Sequence, residues 1–279
     1  MRIPPRSTQA LALAVLGTAT ALTLAVLVFI IVFVLEKGIP VLGWRFLFMS
    51  PRDMGKAGGI FPTVVASILL PLLAVAVALP LGVGTAIYLT EYTRESKATR
   101  VIRFGTDCLA GIPSIIFGLF GFIFFVTMLK MGWSLISGGL TLAFMILPTI
   151  IRTSEEAIKA VPNTYREVSF SLGATRWRTV AKVVLPNALP GILTGVMLGI
   201  GRSIGETAAV IFTAGASLRM PHSIFDSART MSVHFYILAR EGISTENAYG
   251  TAAVLIISVL LVNATAYWLM HRFMAKKHG

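Results

Sequence analysis

The run Thr164-Tyr-Arg-Glu-Val-Ser-Phe-Ser-Leu-Gly-Ala-Thr-Arg-Trp-Arg-Thr-Val-Ala-Lys-Val-Val-Leu-Pro186 is polar and punctuated like a pair of helices, and it opens into an apolar, glycine-rich stretch carrying Arg202 and Glu206. Thr164 with Glu167 three residues on is a capping-box pattern, in which hydroxyl and carboxylate each satisfy a free amide of the first turn. Tyr165, Val168 and Leu172 then share one face of a short helix, and Gly173 stands where a left-handed C-terminal residue is needed. Thr175 can cap a second helix, on which Trp177, Val180 and Val184 share a face before Pro186 stops it. The spacing predicts a helix–glycine–helix elbow with apolar and basic faces, Arg176 among the cations, suited to docking in a groove on a partner. An amphipathic connector resting on lipid headgroups is the competing reading.

What flanks the elbow fixes the class of protein. The 279 residues are 56% hydrophobic and 13% charged, where a soluble domain carries about 25% charged residues. Six apolar runs, at about residues 11–35, 63–90, 101–129, 135–151, 189–214 and 248–273, approach or exceed the ~20 residues of a membrane helix. The expected fold is an all-α polytopic membrane protein, a single domain over 1–279 with the elbow in a loop at 152–188. The first run is longer than the roughly 7–15 residues of a signal-peptide core and reads as a retained span.

A net charge of +12 could suit nucleic acid, but between apolar runs the basic residues serve orientation and anionic headgroups. If both termini are cytoplasmic, the inner segments, including the elbow loop, hold more Lys and Arg than the outer ones, as the positive-inside rule requires. The loop at 36–62 is then outside, with Trp44 and Phe46 as interfacial anchors. So is 215–249, where Met231, Phe235 and Leu238 recur at helical spacing and predict a short helix on the outer face. The single Cys108 excludes an intramolecular disulfide, and its apolar setting reads as packing.

The fifth run carries the chemistry. On a continuous helix Gly191, Gly195, Gly199, Arg202, Glu206 and Thr213 fall within a sector of roughly 80°. The three glycines let a neighbouring backbone approach closely. An Arg at that depth costs about 2.5–3.5 kcal/mol on insertion scales, so it should face a partner or a water-filled path. Arg202 and Glu206 could simply neutralise each other and bind helices together. Alternatively, the guanidinium offers paired donors to a tetrahedral oxyanion, while Glu206 accepts a hydrogen bond from a protonated phosphate oxygen and tempers the affinity, with Thr213 a further polar contact.

The spacing from Glu167 to Gly173, then nine residues to Val183-Val184-Leu185-Pro186, resembles the "EAA" loop of ABC importer permeases, with Val168, Ser169 and Val183 in place of Ala, Ala and Ile. The blocks Gly58-Gly-Ile-Phe-Pro-Thr, Pro80-Leu-Gly-Val-Gly-Thr-Ala-Ile-Tyr-Leu-Thr-Glu-Tyr92, Leu109-Ala-Gly-Ile-Pro-Ser-Ile-Ile-Phe-Gly-Leu-Phe-Gly121 and Gly201-Arg-Ser-Ile-Gly-Glu-Thr-Ala208 resemble the phosphate-specific subgroup of the PstA type. The resemblance implies a type I, MetI-like permease in the inner membrane, whose coupling helix (Thr164, Glu167, Gly173, Arg176, Trp177 and Pro186 within its loop) seats in a cytoplasmic PstB-type ATPase dimer. It implies a second, PstC-type permease, an external PstS-type phosphate-binding protein, and a substrate role for Arg202 and Glu206.

The sequence has no Gly-x-x-x-x-Gly-Lys-Ser/Thr loop for ATP, no metal spacing among its four histidines and no nucleophile constellation. ATP and Mg are therefore expected on the partner ATPase, with no cofactor and no catalysis on this chain. Permeases for sulfate or molybdate, and an ion-driven transporter or channel, are the alternatives; the last leaves the elbow unexplained.

Overall fold

The computed structural model describes residues 5–93 and 96–278. Its helices are α1 (Pro5–Gly38), α2 (Trp44–Phe48), α3 (Phe61–Ile87), α4 (Lys97–Ala110), α5 (Ser114–Gly121), α6 (Leu135–Lys159), α7 (Asn163–Ser171), α8 (Arg176–Thr179), α9 (Leu185–Ile204), α10 (Ala208–Thr213), α11 (Met231–Arg240) and α12 (Thr245–His278). A two-stranded ribbon pairs Pro51 with Gly58 and Arg52 with Ala57, an addition to the all-helical expectation. Among the described residues, five helices are long and apolar enough to cross a membrane, and a bent pair makes a sixth.

That pair is the third expected span. Instead of one helix over 101–129, α4 meets the helix Ser114–Met128 at 102°. Pro113 explains the break, since it supplies no amide hydrogen and pushes the residue before it out of helical conformation. Pro71, Pro80 and Pro148 lie inside α3 and α6 without ending them. Cys108 is exposed rather than packed.

α3 and α6 form the central pair, with α9 against α6, and α1 lies against α12 at the edge. The main core joins Leu70, Ala74 and Ala78 of α3 to Leu142, Ile146 and Ile150 of α6, with Val210 of α10 and Val233 of α11. The opposite surface is apolar: Leu22, Phe29, Leu119, Ile123 and Leu261 are all exposed, the composition of a lipid-facing shell.

At the end of the bundle away from the elbow, Trp44 is exposed, but Phe46 is not an anchor. It is buried with Ile60, Met231 and Val254. The helix expected within 227–240 is α11, capped by the Thr230 hydroxyl accepting from the Val233 amide. Met231 and Leu238 are buried, while Phe235 turns outward.

Candidate functional site

The elbow begins at a break in the helix at Val161-Pro162. Pro162 is extended (ψ 138°) and α7 starts at Asn163, so Thr164 lies inside the first turn and the capping box with Glu167 does not form. Both side chains are exposed. At the other end of α7, Gly173 has φ +79°. The Ala174 amide donates to the Ser169 carbonyl at 3.1 Å and the Gly173 amide to Phe170 at 2.9 Å, the paired bonds of a Schellman termination. The Thr175 hydroxyl then accepts from the Arg178 amide and starts α8.

Pro186 does not stop this second helix. Wide turns over Val180–Val184, where the Leu185 amide reaches back to Val180, carry α8 straight into α9 with Pro186 in its first turn. A proline lacks only the donor that such a shifted hydrogen-bond register already leaves unused. The same shift separates the predicted face: Val180 and Val184 are buried, and Trp177 is 63% exposed. Tyr165, Val168, Leu172 and Phe170 are exposed too, leaving an uncovered apolar surface on the elbow.

What roots the elbow escaped sequence reasoning. Arg166 donates through Nε and Nη2 to Glu91 of the wide turn Tyr88–Tyr92 that ends α3, at 3.1 and 2.7 Å. It also donates to the carbonyls of Ile158 and Val161, at 2.9 and 2.7 Å. Beside it, Arg103 pairs with Glu155 at 2.8 Å, Lys159 with Glu155 at 2.6 Å, and Arg152 with Asp107 at 2.8 Å, around a cavity of about 300 Å³. The signal was present as opposite charges at helical spacing on α4 and α6, but which helix faces which is a tertiary fact.

The fifth expected span, 189–214, runs from Arg176 to Ile204, breaks at Gly205–Thr207 and restarts as the short α10. Gly205 closes α9, and the Glu206 carboxylate accepts the Ala209 amide at 3.2 Å, which starts α10. The Glu206 carbonyl accepts the Ser232 hydroxyl of α11 at 2.7 Å. The break therefore separates what one helical stripe would join. Thr213 is buried, donates to the Ala209 carbonyl at 2.7 Å and is not gathered with Arg202. Arg202 is exposed, and no ion pair joins it to Glu206. Gly191 and Gly195 lie tight against Ala157 and Thr153 of α6, whereas Gly199 has ordinary clearance from Ile146.

Interrupted spans are tolerated in a membrane where they are buried in protein or line a cavity. Here a groove of about 1050 Å³ opens beside the break, walled by Phe122, Trp133 and Phe212 and carrying Thr207, Ser227, Tyr236 and Arg240. Among the described residues, no three His, Cys, Asp or Glu side chains gather as a metal site.

Residues 78–278 match the family described as "Binding-protein-dependent transport system inner membrane component". The chain is 34% identical to the "Probable ABC transporter permease protein YqgI" of Bacillus subtilis (strain 168), over 94% of this chain and 95% of that protein. It is 33% identical to the "Phosphate transport system permease protein PstA" of Xylella fastidiosa (strain 9a5c), over 85% and 84%. Among solved structures, a bacterial alginate ABC transporter in complex with an alginate pentasaccharide-bound periplasmic protein superposes with a TM-score of 0.69 at 15% identity, covering 95% of this chain and 96% of that one. The MetNI methionine ABC transporter in an inward-facing form gives 0.61 at 20% identity, over 77% and 94%. The chain belongs to the inner-membrane permease components of binding-protein-dependent ABC importers, and is a transport subunit.

Proposed function

We propose that this chain forms half of the pathway by which an ATP-driven importer moves inorganic phosphate into the cytoplasm. The elbow and both termini are cytoplasmic, and the elbow's apolar face docks on a PstB-type ATPase dimer that carries ATP and Mg. A PstC-type permease completes the pathway, and a PstS-type binding protein delivers phosphate to the opposite end. The relatives named phosphate transport system permease protein PstA support phosphate as the cargo.

One observation carries the reading: the elbow's second arm and Arg202 lie on one continuous helical span, Arg176–Ile204. A displacement of the elbow is thus a displacement of the guanidinium. Arg202 is exposed on this chain alone, and a guanidinium facing lipid is costly, so its counterpart is the second permease and the phosphate between them. Glu206, engaged by the α10 amide, tempers the charge and allows release.

In the reconstituted complex, Arg202→Gln abolishes phosphate uptake while assembly and basal ATP hydrolysis persist; normal uptake by that variant would refute the site. Arsenate competes for uptake and sulfate does not; the reverse result would make the cargo a different oxyanion.

A further inference from the structure

Two cations of the elbow close on the wide turn Tyr88–Tyr92 that ends α3. Arg166 of α7 forks onto Glu91, and Arg176 of α8 sits 5.9 Å from the centre of the Tyr92 ring. The Arg166–Glu91 pair is largely shielded, with side chains 15% and 10% exposed. Its remaining N–H groups hold the carbonyls of Ile158 and Val161, where α6 ends. One guanidinium thus joins the elbow's first arm to the ends of both central helices. Planar paired donation of this kind is beyond a lysine, and removing either partner strands a buried charge.

We propose that Arg166 is a positioning residue that transmits displacement of the elbow to α3 and α6, with Glu91 as its anchor, so that the central pair moves with the coupling element instead of being left behind by α9. The inference rests on the reading of the elbow as the ATPase-docking element. In the proposed function, motion reaches the membrane along the rod α8–α9. The wide turns at Val180–Val184 interrupt the regular ladder of that rod, whereas the clamp ties α7 directly to the α3–α6 core.

The test uses the whole reconstituted transporter with inorganic phosphate and its binding protein. Glu91→Gln and Arg166→Lys each retain the ATPase on purification but lower phosphate moved per ATP hydrolysed by on the order of tenfold. The double variant is no worse than either single, because both remove one interaction. Unchanged stoichiometry in both singles overturns the proposal, as do additive losses in the double. Release of the ATPase by Arg166→Lys also overturns it, since Arg166 would then serve docking. A native elbow that never holds the ATPase would instead be the failure of the docking reading.

A second measurement needs no change at the clamp. With Cys108 replaced by Ser, spin labels at the exposed Leu81 of α3 and Ser171 of α7 give the same distance distribution with and without trapped nucleotide, while each shifts relative to a label on α1. A nucleotide-dependent change between Leu81 and Ser171 refutes rigid transmission.

Discussion

Arg166 lies on α7 and Gly173 terminates it, yet only Gly173 was legible. The left-handed conformation at Gly173 is a local demand, set by where α7 has to end, and a glycine between two apolar periods announces it. Arg166 finds its carboxylate 75 residues away, and nothing in the local pattern separates a solvated cation from a clamp. The conformation also makes a prediction. A Cβ at Gly173 would meet nothing within 4 Å, so a substitution is opposed by backbone strain alone. Gly173→Val, facing about 1–2 kcal/mol of left-handed penalty, leaves the chain inserted at normal abundance but disconnects ATP hydrolysis from phosphate transport. Gly173→Asn, which tolerates that region, keeps them connected. Assays of both rates in vesicles decide it, and a coupled Val variant would mean the bend angle does not matter.

Element by element, hydropathy located the spans and was blind to their interruptions. A run such as 189–214 is apolar on average, and transfer energy does not register whether its backbone bonds are continuous. The wide turns around Val180–Val184 and the gap at Gly205–Thr207 are events of hydrogen-bond register. Assuming one unbroken helix placed Thr213 beside Arg202, and treating Pro186 as a terminator missed that the elbow's second arm and the fifth span are one piece. The interruption assigns Glu206 a structural duty besides any role with the anion, and two substitutions separate them. Glu206→Ala removes the acceptor for the Ala209 amide and destabilises the α9–α10 junction by about 0.5–2 kcal/mol, the loss typical of a helix cap, read as a lower melting temperature of the solubilised chain. Glu206→Gln keeps an acceptor oxygen at the same reach. It melts like the parent while phosphate uptake falls, because the tempering charge is gone. If Gln and Ala melt alike, the bond to Ala209 contributes nothing.

For the whole molecule, composition alone carried the membrane class, since no arrangement of so many apolar runs buries them all in 279 residues. What it left open is how the end opposite the elbow is roofed. There α11 is pinned by groups that looked unremarkable in sequence. His234 is 1% exposed, packed against Gly55 of the first loop, with Nδ1 3.4 Å from Arg229 Nη1. Arg229 is itself buried, and its Nε donates to the Ala216 carbonyl. Burial, and after it the Arg229 charge, push the His234 imidazole from 6.5 down to about 4. The folded chain therefore holds this imidazole neutral in a window where the unfolded chain has protonated it. Stability is fully present above pH 6.5 and is lost as the pH falls toward 4, by on the order of 3 kcal/mol across the whole interval. Melting temperatures of the purified chain should climb as pH rises between 4 and 6.5. His234→Gln, which cannot take up a proton, should flatten that slope. An equally steep slope in the variant would assign the acid sensitivity to other groups, and the roof would then be held by the burial of Met231, Val233 and Leu238 and by the Ser232 and Arg229 hydrogen bonds, without a contribution from the neutral imidazole.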